Sequence, residues 1–166
     1  MEYPKIVLHV DDDVSILKLV AKCLQKHGVE VISVSNPLQV IGKLATSGAR
    51  VVISDIDMPE KDGLTLLREI KQCDAGIQVI MCTSMVSMST VLMSTSLGAE
   101  GCIFKPLVDL KKVTEAVDRA FDKMDRWWIA LREWMELQES MAMASSDKNA
   151  RFVPDANRIT GSRIQV

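Results

Sequence analysis

The chain has 166 residues, a length that fits one domain with an appendage. Apolar residues make up 48% and charged residues 25%, the mix of an ordinary globular chain, which excludes wholesale disorder. Twenty basic against 22 acidic residues leave a net charge of −2, which speaks against a nucleic-acid or anionic-membrane binder, and no apolar run reaches the ~18 residues of a membrane helix. The N-terminus (Met1-Glu2-Tyr3-Pro4-Lys5) has no signal-peptide pattern. Cys23, Cys73, Cys82 and Cys102 form no CxxC pair and read as small apolar residues in a reducing cytoplasm, with neither a disulfide framework nor a zinc site among them.

In chain order, short β-branched runs alternate with helical patterns. Ile6–Val10 is followed by helical spacing over Val14–Lys26, with Asp13 as N-cap and Gly28 as the C-terminal stop after His27. Val29–Val34 precedes a helix over Leu38–Ala45, and Val51–Ile53 precedes one over Leu64–Lys71 opened by Asp62-Gly63. Ile77–Met81 leads to a helix over Val86–Leu97 closed by Gly98, and Gly101–Phe104 leads to a fifth helix. The apolar runs are unbroken, as expected of strands covered on both faces. Five βα units imply an α/β fold with a doubly wound five-stranded parallel sheet, ending near residue 122. His9 reads as a hydrogen-bonded core residue, and the methionines of the fourth helix as core in preference to ligands.

Such sheets carry their sites at the carboxyl ends of the strands. There stand Asp11-Asp12-Asp13 after the first strand, Asp55 and Asp57 after the third, Thr83-Ser84 after the fourth and Lys105-Pro106 after the fifth. Converging carboxylates repel unless a cation sits among them, and Mg2+, a hard ion for oxygen ligands, suits such a place. Lys105 and Thr83 offer a positive charge and a neutral donor, which fit the oxygens of a phosphoryl group. A carboxylate beside them can be the nucleophile that takes the phosphoryl.

Val10-Asp11-Asp12, the run Val52 to Pro59 with Asp62-Gly63, Thr83-Ser84 and Lys105-Pro106 together resemble the response-regulator receiver domain of two-component signalling, over about residues 5–122. The resemblance implies a flavodoxin-like fold with Asp55 as phosphoacceptor. Asp12 and Asp55 would bind Mg2+ directly, Asp11 through water, and Asp57 through its main-chain carbonyl. Lys105 would pair with the phosphoryl oxygens, and Thr83 would hydrogen-bond them and move inward. It further implies a cis Lys105–Pro106 bond, a histidine kinase or phosphotransfer protein as donor, and a phosphoacceptor in place of a turnover enzyme. The place in the fifth strand that often holds a swinging Tyr or Phe is Cys102 here. Between Cys82 and Ala99 there is no charge, but seven Ser/Thr after Thr83 and three Met, so the fourth helix offers a soft, uncharged surface.

From Leu107 to Ser146 there is neither Gly nor Pro, so the fifth helix extends past the domain. Leu110, Val113, Val117, Ala120, Met124, Trp127, Leu131, Trp134, Gln138 and Met141 recur at three- and four-residue spacing. Their flanks are apolar too, a face wider than a two-stranded coiled coil needs. The expected organisation is a receiver over 1–122, a helical extension over 123–144 forming a homodimer or partner helix, and a flexible tail over 145–166. Two other readings fit parts of the chain. One is an assembly adaptor acting through the extension with an unused pocket. The other is a haloacid-dehalogenase-type phosphatase with Asp55 as nucleophile and Asp57 as acid/base, though there the paired acids follow the DxD run instead of preceding it.

Overall fold

The structure, a computed structural model, describes residues 4–150, with side chains followed to Met143. The chain divides into two compact units, the first ending at Asp125 and the second beginning at Arg126. In the first unit β1 (Ile6–Val10), α1 (Val14–Lys26), β2 (Glu30–Val34), a 3-10 turn (Pro37–Gln39), α2 (Val40–Ser47), β3 (Val51–Ser54), α3 (Gly63–Cys73), β4 (Gln78–Thr83), α4 (Met88–Ser96) and β5 (Gly101–Phe104) lead into α5 (Lys111–Ala150). The five strands form one sheet in the order β2-β1-β3-β4-β5, and every pairing is parallel. The strand order reverses between β1 and β3, so the loops after these two strands part there and leave a crevice.

Strand alternation divides the core into two layers. Leu8, Val10, Val52, Val79 and Met81 pack toward α2 and α3, where Val40, Leu66, Leu67 and Ile70 meet them. Val7, Val51, Ile53, Ile80, Cys82 and Ile103 pack toward α1 and α5, against Val20, Leu24, Val113, Val117, Ala120 and Phe121. The unbroken apolar runs therefore hold for β1, β3 and β4, which are buried throughout. They fail at the two edges, where Glu30 and Ser33 in β2 and Phe104 in β5 are exposed, because an edge strand lacks a neighbour on one side.

The caps match their residues. Asp13 accepts from the Ser15 and Ile16 amides at the start of α1, and His27 closes that helix, its Nε2 lying 3.1 Å from Asp118. Gly28 follows with φ of 77°. At α3, Asp62 Oδ1 accepts from the amides of Leu64 (2.9 Å) and Thr65 (3.0 Å), and Oδ2 from the Thr65 hydroxyl (2.6 Å). These bonds, the hydroxyl first, hold the Asp62 carboxyl below the usual carboxylate range. A carboxyl lowered by folding contributes stability above its ordinary pKa and loses it as pH falls through the folded value. Asp62→Ala should therefore cost about 1 kcal/mol in urea unfolding at neutral pH. The difference from the parent should shrink in acid, where the parent gives up the same bonds.

Two expectations are corrected. His9 is fully buried, but neither ring nitrogen has a hydrogen-bond partner among the described residues. Burial, aided by the charge on Lys105, lowers its pKa to about 4 and keeps it a neutral, space-filling ring. The α4 methionines are surface, not core: Met88 and Met93 are exposed, as are Met85, Val86 and Leu92, and the buried positions of α4 are Thr90 and Ser94. With no charges to mark its outer face, α4 could not be oriented from composition.

In the second unit α5 continues to Ala150, six residues into the segment expected to be a flexible tail from 145. Ser145 to Asn149 are indifferent helix formers but contain no breaker, and the next proline is Pro154. The rest of that expected tail, 151–166, lies outside the described residues. Every described side chain from Asp125 to Met143 is exposed, including Trp127, Trp128, Leu131 and Trp134.

Candidate functional site

The site is built where β1 and β3 end side by side. Asp11 follows β1, its amide bonded to Val34 O of β2, and Asp55 follows β3, its amide bonded to Val10 O of β1. Neighbouring main chains thus bring two carboxylates from distant parts of the chain to one rim. Asp11 is fully buried and Asp55 nearly so, while Asp12 is exposed. One carboxylate oxygen from each of Asp11, Asp12 and Asp55 lies within 4.8 Å of the others. Asp57 is not part of this cluster, and its side chain is exposed.

Lys105, delivered by the turn after β5 and followed by a cis bond to Pro106, sits among the acids. Its Nζ lies 2.8 Å from Asp11 Oδ2 and 3.2 Å from Asp55 Oδ2. The remaining oxygens are held by main chain. Asp11 Oδ1 accepts from the Asp13 amide at 2.9 Å, and Asp55 Oδ1 from the Ile56 amide at 2.8 Å. Both carboxylates are therefore fixed by one N–H bond and one ammonium. Burial pushes the Asp11 carboxyl above its usual range even though Lys105 and the Asp13 amide pull it down, and the charge on Asp55 adds to the rise. Burial alone would lower Lys105, but its hydrogen bond to Asp11 and the fields of Asp11 and Asp55 outweigh that and hold it raised. Excess negative charge around one ammonium is the electrostatic condition that favours a second cation.

Thr83, the last residue of β4, is fully buried, and its Oγ1 accepts from the Met85 amide at 3.0 Å. Its predecessor Cys82 is buried as well, and burial lifts its thiol to about 12 despite the nearby Lys105. Cys102 in β5 is half-buried, and burial raises its thiol too, with Ser94 opposing.

Sequence reasoning missed the part played by Gly63. In the sequence it reads as opening α3, but a Cβ there would lie 2.0 Å from the Asp55 carbonyl oxygen and 2.8 Å from Ile56 Cα. The Gly63 amide donates to Ile56 O at 2.8 Å. The helix start is thus pressed onto the backbone that carries Asp55. The available signal was a glycine in the first turn of an otherwise good helix, where it costs stability unless backbone must pass close. Nearby, Glu60 takes a left-handed conformation (φ 73°), which places strain in the same loop.

A doubly wound parallel sheet with an acidic crevice, a half-buried lysine and a threonine at its rim suits a phosphoacceptor signalling domain. The chain belongs to the response regulator receiver domain family, whose pattern matches residues 7–118. Members are the phospho-aspartate switches of two-component systems and are acceptors, not turnover enzymes in the usual sense. The chemotaxis protein CheY of Bacillus subtilis is 36% identical over 117 residues, covering 70% of this chain and 97% of that protein. The transcriptional regulatory protein GlrR of Escherichia coli is 31% identical over 129 residues, or 75% of this chain but 29% of GlrR. Among solved structures, a CheY-like receiver domain from Methanospirillum hungatei is 27% identical with a TM-score of 0.70, covering 75% of this chain and 98% of that one. The beryllofluoride-activated NtrC4 receiver domain dimer is 25% identical with a TM-score of 0.69, covering 72% and 98%. Among the described residues no helix is long and apolar enough to cross a membrane.

Proposed function

We propose that this protein is a phosphorylation-dependent switch in which Asp55 accepts a phosphoryl group from a histidine kinase or phosphotransfer protein in the cytoplasm. The observation that carries the reading is the Asp55 carboxylate at the β3 terminus, 3.2 Å from Lys105 Nζ and in one cluster with Asp11 and Asp12. In the transfer an Asp55 oxygen forms a bond to phosphorus while the bond from phosphorus to the donor nitrogen breaks, the nitrogen leaving with the electron pair. The donor set is all oxygen and carries more negative charge than Lys105 neutralises, which fits Mg2+. Asp12 and Asp55 would hold the ion directly, Asp11 through water and Asp57 through its main-chain carbonyl; bound there, Mg2+ supplies charge neutralisation for the phosphoryl oxygens. Lys105 turns from Asp11 to those oxygens, and Thr83 exchanges the Met85 amide for a phosphoryl oxygen. The altered β4–α4 region and the α4–β5–α5 face then carry the state to a partner.

Incubation with a small phosphodonor and Mg2+, followed by intact mass measurement, tests this reading. The parent chain should gain one phosphoryl group, and Asp55→Asn should gain none. An Asp55→Asn chain that takes up phosphoryl as fast as the parent overturns it.

The extension supports a further part of the proposal, a homodimer through α5. Trp127, Trp128, Leu131, Trp134, Met135 and Leu137 form an exposed apolar face about half the helix circumference wide, and such faces associate in water. The NtrC4 receiver neighbour, solved as a dimer, is consistent with pairing of receiver chains. This face also keeps the adaptor reading in view, since it could serve assembly without the pocket. Sedimentation at micromolar concentration should show a dimer, with a monomer once residues 124–166 are removed; a monomeric full chain refutes the pairing.

A further inference from the structure

α1 and α5 cover the same face of the sheet, where Val20 and Leu24 meet Val113 and Val117. Toward solvent the two helices part around a cavity of about 450 Å3, and none of its lining residues belongs to the acidic crevice. The apolar lining is Leu19 and Cys23 of α1 with Leu110, which stands just before α5. Leu19 is 39% exposed, an unfavourable state for so apolar a group. The helices are tied together twice beside this groove. The Cys23 thiol donates to Leu110 O at 3.9 Å, and His27 Nε2 lies 3.1 Å from Asp118. The walls are therefore fixed, as in the preformed sites that take small molecules, and the volume falls in the range of such sites.

The charge along the groove has one sign. Lys18, Lys22 and Lys26 recur every four residues, and α1 contains no acidic residue. Like charges at that spacing repel each other along a helix face. Lys22 and Lys26 line the cavity, and among the described residues no carboxylate forms an ion pair with either. Asp118 is engaged by His27. A chain with a net charge of −2 thus keeps a basic margin beside an apolar floor. The cavity between α2 and the end of α3 differs in this respect, because its Arg50 is paired with Asp74 at 2.6 Å.

We propose that the groove between α1 and α5 binds a small amphipathic anion, a ligand with a medium-sized apolar body and one terminal carboxylate. The body lies on Leu19, Cys23 and Leu110, and the head is held between the ammonium groups of Lys22 and Lys26. Side chains four residues apart on a helix start ~6 Å from each other, so two flexible lysine stems can converge on one head group. Covering the apolar lining supplies affinity, and the two charges select an acid over an alcohol or a hydrocarbon. The site goes beyond the phosphoacceptor reading and does not depend on Asp55, so its test needs no phosphodonor.

The test is amide NMR of the full chain titrated with decanoate below its micellar concentration. Saturable shifts should appear at Leu19, Cys23, Leu110 and Thr114, which line the groove. Decanol keeps the chain without the charge, and acetate keeps the charge without the chain. Neither should saturate these amides at the same concentrations. Lys22→Gln combined with Lys26→Gln, both changes at exposed positions, should weaken decanoate binding by about tenfold or more, the loss expected for charge-assisted bonds. A parent chain whose groove amides do not move overturns the proposal. Decanoate binding to the double variant as tight as to the parent also overturns it, as does a response to decanol or acetate equal to that of decanoate. Shifts confined to the indole signals of Trp127, Trp128 and Trp134 place decanoate on the exposed face of α5 and overturn it too.

Discussion

Gly63→Ala should destabilise the domain by about 3 kcal/mol and slow phosphoryl uptake on Asp55 by about a hundredfold. The new Cβ would sit 2.0 Å from the Asp55 carbonyl oxygen, 2.8 Å from Ile56 Cα and 2.9 Å from the Asp55 carbonyl carbon. All three contacts are backbone, so no flexible side-chain end can swing aside. Either α3 lifts off the loop, losing the Gly63 amide bond to Ile56 O, or the loop recedes and carries Asp55 with it. A movement of about an ångström at a reacting group costs on the order of a hundredfold in rate. Urea unfolding measures the first quantity and the time course of intact mass with a small phosphodonor the second. A variant as stable and as quickly phosphorylated as the parent would show that the close approach is not needed.

The second large effect belongs to Lys105. Lys105→Met keeps the aliphatic stem and removes the ammonium that lies 2.8 Å from Asp11 and 3.2 Å from Asp55. Two buried carboxylates are then left facing each other, and breaking a buried pair by removing one partner costs about 3–5 kcal/mol. In chelator at neutral pH the melting temperature should fall by roughly 10 °C, taking about 3 °C per kcal/mol for a domain of this size. Mg2+ should restore more stability to the variant than it adds to the parent, because the ion replaces the missing charge and stabilises by mass action. Equal Mg2+ effects in the two chains would separate Lys105 from the acidic cluster.

Much of this pocket was legible in the sequence because its residues are tied to strand ends. Once Ile6–Val10 and Val51–Ser54 are read as parallel strands, Asp11, Asp12 and Asp55 must fall on one rim, and the structure gathers them there. The helix starts at Asp13 and Asp62 were legible for a similarly local reason, since capping is written in one residue and the amides it faces. What was not legible depends on distance through space. Whether Gly63 serves as a helix start or as a close approach is decided by Asp55, eight positions away along the chain. The side on which α4 presents its methionines depends on packing, because a helix without charges has no polar stripe to mark its outside. His9 belongs here too: a ring with no partners is an unusual core residue, and nothing beside it in the chain signals that state. The exposure of the edge strands is hidden as well, because Val29–Val34 has the composition of a central strand, whereas burial follows the strand order.

Burial of the sulfur next to Thr83 also sets its reactivity. With its proton held until about pH 12, Cys82 has almost no thiolate at neutral pH, and thiolate is the form that peroxide and electrophiles attack. The exposed thiol at the end of α3, Cys73, stands on the surface where such reagents arrive first. Peroxide treatment followed by peptide mass mapping should therefore modify the exposed Cys73 ahead of the buried Cys82, the residue that precedes Thr83 at the crevice.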